Sequence, residues 1–334
     1  MNEPSLKHED YTVGWICALP VELAAASELL DEEHGDISQG PHDNNSYTLG
    51  RVGVHNVVVT CLPAGQIGTN PAATVATQMR LKFTSIRFGL MVGIGGGVPS
   101  AENDVRLGDV VISQPQSQHG GVVQYDMGKT EKGDRFLRTG SLNTPPALLL
   151  GGLAKFKANR MRGKSKHSEY LSKLTRLQSF THQGEGSDVL YRAAYDHEGG
   201  QTCEDCDRNQ AITREVRETL DVVFHYGTIA SGNQVIKDGL VRDRLTLDLG
   251  DILCFEMEAA GLMNSFPCLV IRGVCDYADS HKNKRWQPYA AATAAACAKE
   301  ILSLIPAAEV TERPIAFQPR VRKGTLRHVS RSTY

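Results

Sequence analysis

Between Phe255 and Asp276 the chain reads Phe255-Glu256-Met257-Glu258-Ala259-Ala260-Gly261, then an apolar run from Cys268 through Arg272 and Gly273 to Val274, then Cys275-Asp276. Carboxylates inside an apolar stretch are costly to bury unless they bind or transform something. The pattern predicts that Glu258 opens a small-residue helix through Ala259, Ala260 and Gly261. It also predicts that residues 268–274 form a buried strand delivering Asp276 at its carboxyl end. In α/β folds that edge of the sheet is where ligands sit.

The rest of the chain fits such a fold. Residues 11–18 read as a first strand and 21–30 as a helix, with Glu22 in a first turn where a carboxylate also suits the helix dipole. Strands are expected at 46–52 and 56–62. A helix then starts with Asn70 as N-cap and Pro71 as its first residue and runs to about Lys82. Residues 88–92 form a buried strand ending in a glycine turn, 93–97, and 110–113 form another. Alternating buried strands and helices imply an α/β protein, a three-layer α/β/α architecture around a central twisted mixed sheet. One domain is expected over residues 10–305. It carries a polar, partly helical insertion at about 127–218, since so long a structureless loop is unusual in a compact domain. Residues 306–334 read as a basic, proline-interrupted tail or linker.

Six blocks carry a resemblance: ALPVELAA (18–25), LMVGIGGGV (90–98), LGDVVIS (107–113), GTIASGNQVI (227–236), FEMEAAG (255–261) and RGVCDYAD (272–279). In this order they resemble the nucleoside phosphorylase and nucleosidase superfamily over residues 11–305, with methylthioadenosine/S-adenosylhomocysteine nucleosidase as functional analogue. Their wording is most similar to the amino-terminal nucleoside-phosphorylase-like domains of fungal immune receptors. Breaking a purine–ribose bond needs an acid for the base, groups that hold the sugar, and a nucleophile. The resemblance implies that Asp276 protonates the purine, that Glu258 grips the ribose hydroxyls above Met257, and that Arg272 orients Glu258. It assigns the base to Val235 and Ile236, and Glu256, Gly95 and Gly96 complete the expected substrate-binding set. The family's aromatic stack is missing at Val235, and Trp286 is expected to compensate.

Phosphorylases of this superfamily hold phosphate with arginines and a serine where this chain has Glu22, Met91 and Ile94. A carboxylate there repels phosphate and two apolar residues offer it nothing. Glu22 instead matches the nucleosidase glutamate that deprotonates water. The expected activity is therefore hydrolysis, and the resemblance implies an adenine nucleotide as substrate, with ATP leading, and a role as an immune effector. The alternatives are a phosphate-dependent phosphorylase, a methylthioadenosine-type nucleosidase, and a non-catalytic ligand-sensing or oligomerising module. Lys282, Lys284 and Arg285, just after Asp276, are the candidate phosphate contacts.

A net charge of −2 at pH 7 gives no general case for nucleic acid, so the expected partner is a small-molecule purine nucleoside or nucleotide. A homo-oligomer and fusion to a downstream signalling module are also expected. The amino terminus has no basic apolar signal region, and no stretch approaches the roughly 20 apolar residues of a membrane span, which predicts no membrane partner and a cytoplasmic location. The basic run at 155–167 reads as a solvated face. Cys17, Cys61, Cys254, Cys268, Cys275 and Cys297 lie in apolar surroundings and read as free core thiols. Cys203-Glu-Asp-Cys206 with His197 offers three potential zinc ligands without a visible fourth, so a reduced loop, no metal and no cofactor are expected. His119, His225 and His281 have no partner legible in the sequence.

Overall fold

The computed structural model describes residues 6–37, 43–133, 135–182, 188–200, 202–219, 221–282, 284–307 and 310. Strand β1 (Val13–Cys17) leads into helix α1 (Pro20–Glu28), followed by β2 (Glu32–His34), β3 (Tyr47–Val52), β4 (His55–Cys61), α2 (Thr69–Lys82), β5 (Phe88–Gly97), β6 (Val110–Ser113) and β7 (Val122–Gln124). The insertion contributes a separate antiparallel pair, β8 (Gly128–Glu131) with β9 (Arg135–Arg138), then α3 (Ala147–Met161) and α4 (His167–Thr175). The chain returns through β10 (Phe224–Ser231), α5 (Gly239–Leu249), β11 (Ile252–Glu256), β12 (Cys268–Asp276) and α6 (Gln287–Ser303).

The main sheet is mixed, in the order β11-β10-β6-β12-β5-β1-β4-β3-β2, with β7 beside β10. Its centre, β5 between β1 and β12, is parallel. Both faces of β12 are buried along its whole length, which explains the apolar run without alternation. Helices α1, α3, α4 and α6 supply the core on one face and α2 supplies the other. Alanine-rich α6 lies close on β12 because Gly273 has no side chain: a Cβ there would fall 2.5 Å from the Ala290 carbonyl carbon.

Three expected boundaries shift. The predicted glycine turn at 93–97 is strand, because β5 continues to Gly97 and pairs on one side with β12 and at its end with β11. The return pairing of β11 onto β5 closes this half of the sheet on itself, and only side-chain-free residues fit there. A Cβ on Gly95 would lie 2.9 Å from Phe255 O, and one on Gly96 2.8 Å from Asp276 Oδ1. Helix α2 starts at Thr69 rather than after Asn70. Its cap comes from a distant loop: Asn233 Oδ1 accepts from Thr69 N at 2.9 Å and from Thr69 Oγ1 at 3.0 Å. After Glu258 there is a single 3₁₀ turn, Ala259–Gly261, not a longer helix.

The insertion is part of the core, with Leu149, Leu153, Phe156 and Leu174 from α3 and α4 buried against α6. The basic run at 155–167 is correspondingly not just a solvated face. Lys157 Nζ lies 4.2 Å from the Tyr226 ring centre, and the Arg160 guanidinium 3.9 Å from that of Phe224. All eight cysteines are free. No helix among the described residues is long and apolar enough to cross a membrane. The tail expected at 306–334 falls, apart from 306, 307 and 310, outside the described residues.

Candidate active site

The carboxyl ends of β1, β5, β11 and β12 and the loop after β10 surround a cavity of about 570 Å³, a volume typical of small-molecule sites. Glu22 enters it from the first turn of α1, where Pro20 fixes the helix start. The carboxylate folds back on the helix terminus: Oε2 accepts from Ala18 N (2.7 Å) and Leu19 N (3.0 Å), and Oε1 accepts from Ile94 N (2.8 Å). One side chain thus caps α1 and ties it to β5. Burial pushes the Glu22 carboxyl upward, and neither Arg272 nor the three N–H groups reverse that. Gly93 leaves the necessary room, since a Cβ there would meet the Glu22 carboxyl carbon and Arg272 Nη1, each at 2.6 Å.

Arg272, from the middle of β12, lies beneath three glutamates. Its Nη2 pairs with Glu256 and lies 3.3 Å from Glu258 Oε2, while Nη1 donates to Ile94 O at 3.3 Å. Burial opposes its charge, but Glu256, Glu258 and Glu22 outweigh burial and hold the guanidinium protonated. Glu256 also accepts from the backbone N–H groups of Glu258 (3.1 Å) and Ala259 (3.0 Å), which fixes the bend where β11 turns into the site. The side chains of Arg272 and Glu256 are each 1% exposed. Arg272, expected to orient Glu258, and Glu256, expected in the substrate-binding set, both line the floor of the cavity, where Arg272 Nη2 links Glu256 to Glu258. Glu258 Oε1 accepts from Gly68 N at 3.3 Å. Burial raises its carboxyl to about 7 against the pull of Arg272, with Glu256 and Glu22 adding to the rise.

Asp276 stands at the end of β12. Its Oδ1 accepts from Ala278 N at 2.9 Å and from Lys282 Nζ at 2.6 Å, and Oδ2 lies 3.3 Å from Cys275 Sγ. Burial opposes the Lys282 charge, and Asp276 more than compensates. The cavity wall also includes Gly95, Gly96, Val235, Ile236, Met257 and Lys284, all placed there by the sequence reading.

Two expected residues lie elsewhere. Trp286 is 2% exposed and packs against Cys275, Tyr289 and Ala290, away from the cavity, because the turn preceding α6 rotates its ring into the core. Arg285 is not in the cavity wall; it points to Glu204 of the insertion at 3.7 Å. Conversely, Phe255 and Lys237 line the cavity without having been singled out. Phe255 supplies an aromatic face and is held edge-on by Tyr125, with ring centres 5.7 Å apart. Its position directly before the glutamates was the available signal, and Lys237 beside Val235 and Ile236 was the other. His197, Cys203 and Cys206 do come together, outside this cavity.

A mixed sheet with helices on both faces and a carboxylate-rich cavity at its strand ends defines the class. Residues 12–304 match the phosphorylase superfamily, and the chain belongs to it. Over 309 residues it is 48% identical to a nucleotide-binding leucine-rich repeat (NLR)-like protein of Hyaloscypha variabilis, a match covering 91% of this chain but 30% of that protein's length. It is 25% identical over 298 residues to the ATP nucleosidase Cap17 of Escherichia coli, covering 84% of this chain and 48% of that protein. The structure of a putative 5'-methylthioadenosine/S-adenosylhomocysteine nucleosidase from Borrelia burgdorferi bound to adenine has the same fold. Its TM-score is 0.60 at 17% identity, covering 88% of this chain and 100% of that one.

Proposed function

We propose that the chain is a purine N-glycosidase that hydrolyses an adenine nucleotide, ATP, to adenine and ribose 5'-triphosphate. The observation that carries this reading is a single cavity lined by Glu22, Glu258 and Asp276 together with Lys237, Lys282 and Lys284. Asp276 is the acid. Oriented at Oδ1 by Ala278 N–H and Lys282, its carboxyl delivers the proton that N7 of the leaving purine takes up as the bond from N9 to C1' breaks. Glu258 accepts hydrogen bonds from the ribose hydroxyls, and these strengthen as positive charge develops on the sugar. Glu22, pushed upward by burial, takes a proton from the water that forms the new bond to C1'. Phosphate as nucleophile would have to approach the Glu22 carboxylate, and Met91, at one of the expected phosphate-binding positions, is fully buried.

The lysines set the substrate class. Three ammonium groups suit an anionic 5' substituent and are a poor lining for an apolar thioether. The similarity to an ATP nucleosidase supports the same reading, and the NLR-like relative supports a role as the effector portion of a longer immune protein. The test is to incubate the purified chain with ATP, adenosine and methylthioadenosine, with and without inorganic phosphate, and to identify base and sugar products by mass spectrometry. Adenine and ribose 5'-triphosphate, formed independently of phosphate, are expected. Ribose 1-phosphate species would convert the reading to a phosphorylase, and no turnover of any substrate would convert it to a ligand-sensing module.

A further inference from the structure

Beside the loop that follows Asp276, the insertion gathers a second cluster that catalysis does not use. The ligand atoms of His197, Cys203 and Cys206 lie within 4.8 Å of one another, with Cys206 buried. A tetrahedral zinc ion, bonded at about 2.3 Å to sulfur and about 2.0–2.1 Å to nitrogen, spaces its ligands roughly 3.3–3.8 Å apart. Closing the cluster onto an ion therefore needs a shift of about an ångström. The histidine is already held as a ligand histidine is: its Nε2 lies 3.0 Å from Thr202 O. A carbonyl only accepts, so Nε2 carries the proton and Nδ1 keeps its lone pair.

The missing fourth ligand has a candidate from outside the insertion. His281 is 8% exposed, yet its Nε2 has no hydrogen-bond partner, an unusual state for a buried polar group. Its ring stacks on Tyr191, with centres 4.2 Å apart, and stands edge-on to His197 at 5.7 Å. Nδ1 is 3.6 Å from Asp279 Oδ1, which leaves Nε2 as the nitrogen to meet an ion. His197 N also donates to Ser280 Oγ at 2.9 Å, so both strands of the junction already touch.

We propose that His197, Cys203 and Cys206, with His281 as fourth ligand, form a structural zinc site that staples the insertion to the loop carrying Asp276, Lys282 and Lys284. Binding converts the two thiols to thiolates and releases their two protons to solvent. All four ligand positions are then protein groups, the closed arrangement of a structural rather than a catalytic zinc. The site stands independently of which nucleoside or nucleotide occupies the cavity.

The test uses the full chain, reduced and freed of metal, titrated with Co(II) and separately with Zn(II). Expected are one equivalent bound, a thiolate-to-cobalt charge-transfer band with the visible bands of tetrahedral cobalt, and displacement of cobalt by zinc. Cys203→Ser should weaken the charge-transfer band and metal retention, and His281→Gln should change the visible bands. Hydrogen exchange should slow on zinc addition in peptides covering both 197–210 and 278–282. The wild-type titration needs no variant to fold, and its failure to bind either metal overturns the site. So does undiminished binding in Cys203→Ser, or a Cys203–Cys206 disulfide that once reduced takes up no metal. Unchanged cobalt bands in His281→Gln remove the staple and with it the proposal.

Discussion

Lys282 Nζ lies 2.6 Å from Asp276 Oδ1, so the acid of the proposed reaction is paired with a cation six residues further along the chain. The pair faces the same cavity as Glu22 and Glu258. In the proposed reaction an incoming 5'-phosphate would compete with Asp276 for this ammonium, so an anionic substrate would change the surroundings of the acid as it binds. A neutral nucleoside leaves the pair as it is. This relationship gives the substrate reading consequences that can be measured one residue at a time.

Asp276→Asn keeps an oxygen to accept from Ala278 N–H, so folding should be unaffected. Loss of the transferable proton should lower adenine release by about 10²-fold or more, the usual scale for a general acid. Chromatographic adenine release, with a thermal melt as control, checks it. Near-normal turnover would remove Asp276 from the mechanism.

Glu22→Gln should abolish hydrolysis while retaining substrate binding, because an amide cannot take a proton from water. Glu22 also accepts three backbone N–H bonds, so the variant should lose about 0.5–1.5 kcal/mol of stability for each bond not remade. Urea unfolding beside an equilibrium binding assay separates the two effects. A variant that turns over normally would leave Glu22 only its capping role.

The Glu258 carboxyl is raised by burial to about 7. Between its unfolded value of 4.5 and about 7, the folded protein therefore keeps a proton that the unfolded chain has released. The Glu258 contribution to stability should fall as pH rises through that window and level off above it. Activity should run the other way, since the ionised carboxylate is the form that accepts from ribose hydroxyls, and kcat/KM should rise towards and through pH 7. Glu258→Gln should flatten the difference in stability between pH 5 and pH 8. An identical stability profile in that variant would show that the window belongs to another group.

Arg272→Met should be the most destabilising single change in the site, on the order of 3–5 kcal/mol, because it leaves three buried glutamates without their shared cation. Lowering the pH should narrow the gap to wild type as the carboxylates take up protons. Denaturant midpoints at two pH values measure this. A constant, small loss would mean that the carboxylates are satisfied by backbone donors alone.

Replacing Lys237, Lys282 and Lys284 together by Ala should raise the KM for ATP far more than that for adenosine. The wild-type preference for ATP should shrink as salt rises, because partly exposed charges are screened. Arg285→Ala should change neither constant, since that side chain is directed to Glu204. Equal effects of the lysine variant on both substrates would assign the lysines to closing over the ribose.

The α/β class, most element positions and the carboxylates were legible in the sequence. Each of these is written in local pattern: buried strands as apolar runs, Glu22 at a helix start, and Glu258 and Asp276 as charges in apolar surroundings. The sequence could not show that the Gly93 to Gly97 stretch is strand. Glycine looks like a turn until a second strand, β11, is seen to pack onto the same residues. Nor could it show which way side chains after Asp276 turn. Lys282, Lys284, Arg285 and Trp286 are near neighbours in sequence, yet the first two line the cavity, the third meets the insertion and the fourth enters the core. Capping of α2 by Asn233, 164 residues from Thr69, and the approach of His281 to His197 were equally hidden. Local propensity and burial cost act over a few residues and leave a mark in sequence. Contacts between distant segments depend on how the sheet closes, which no local pattern records.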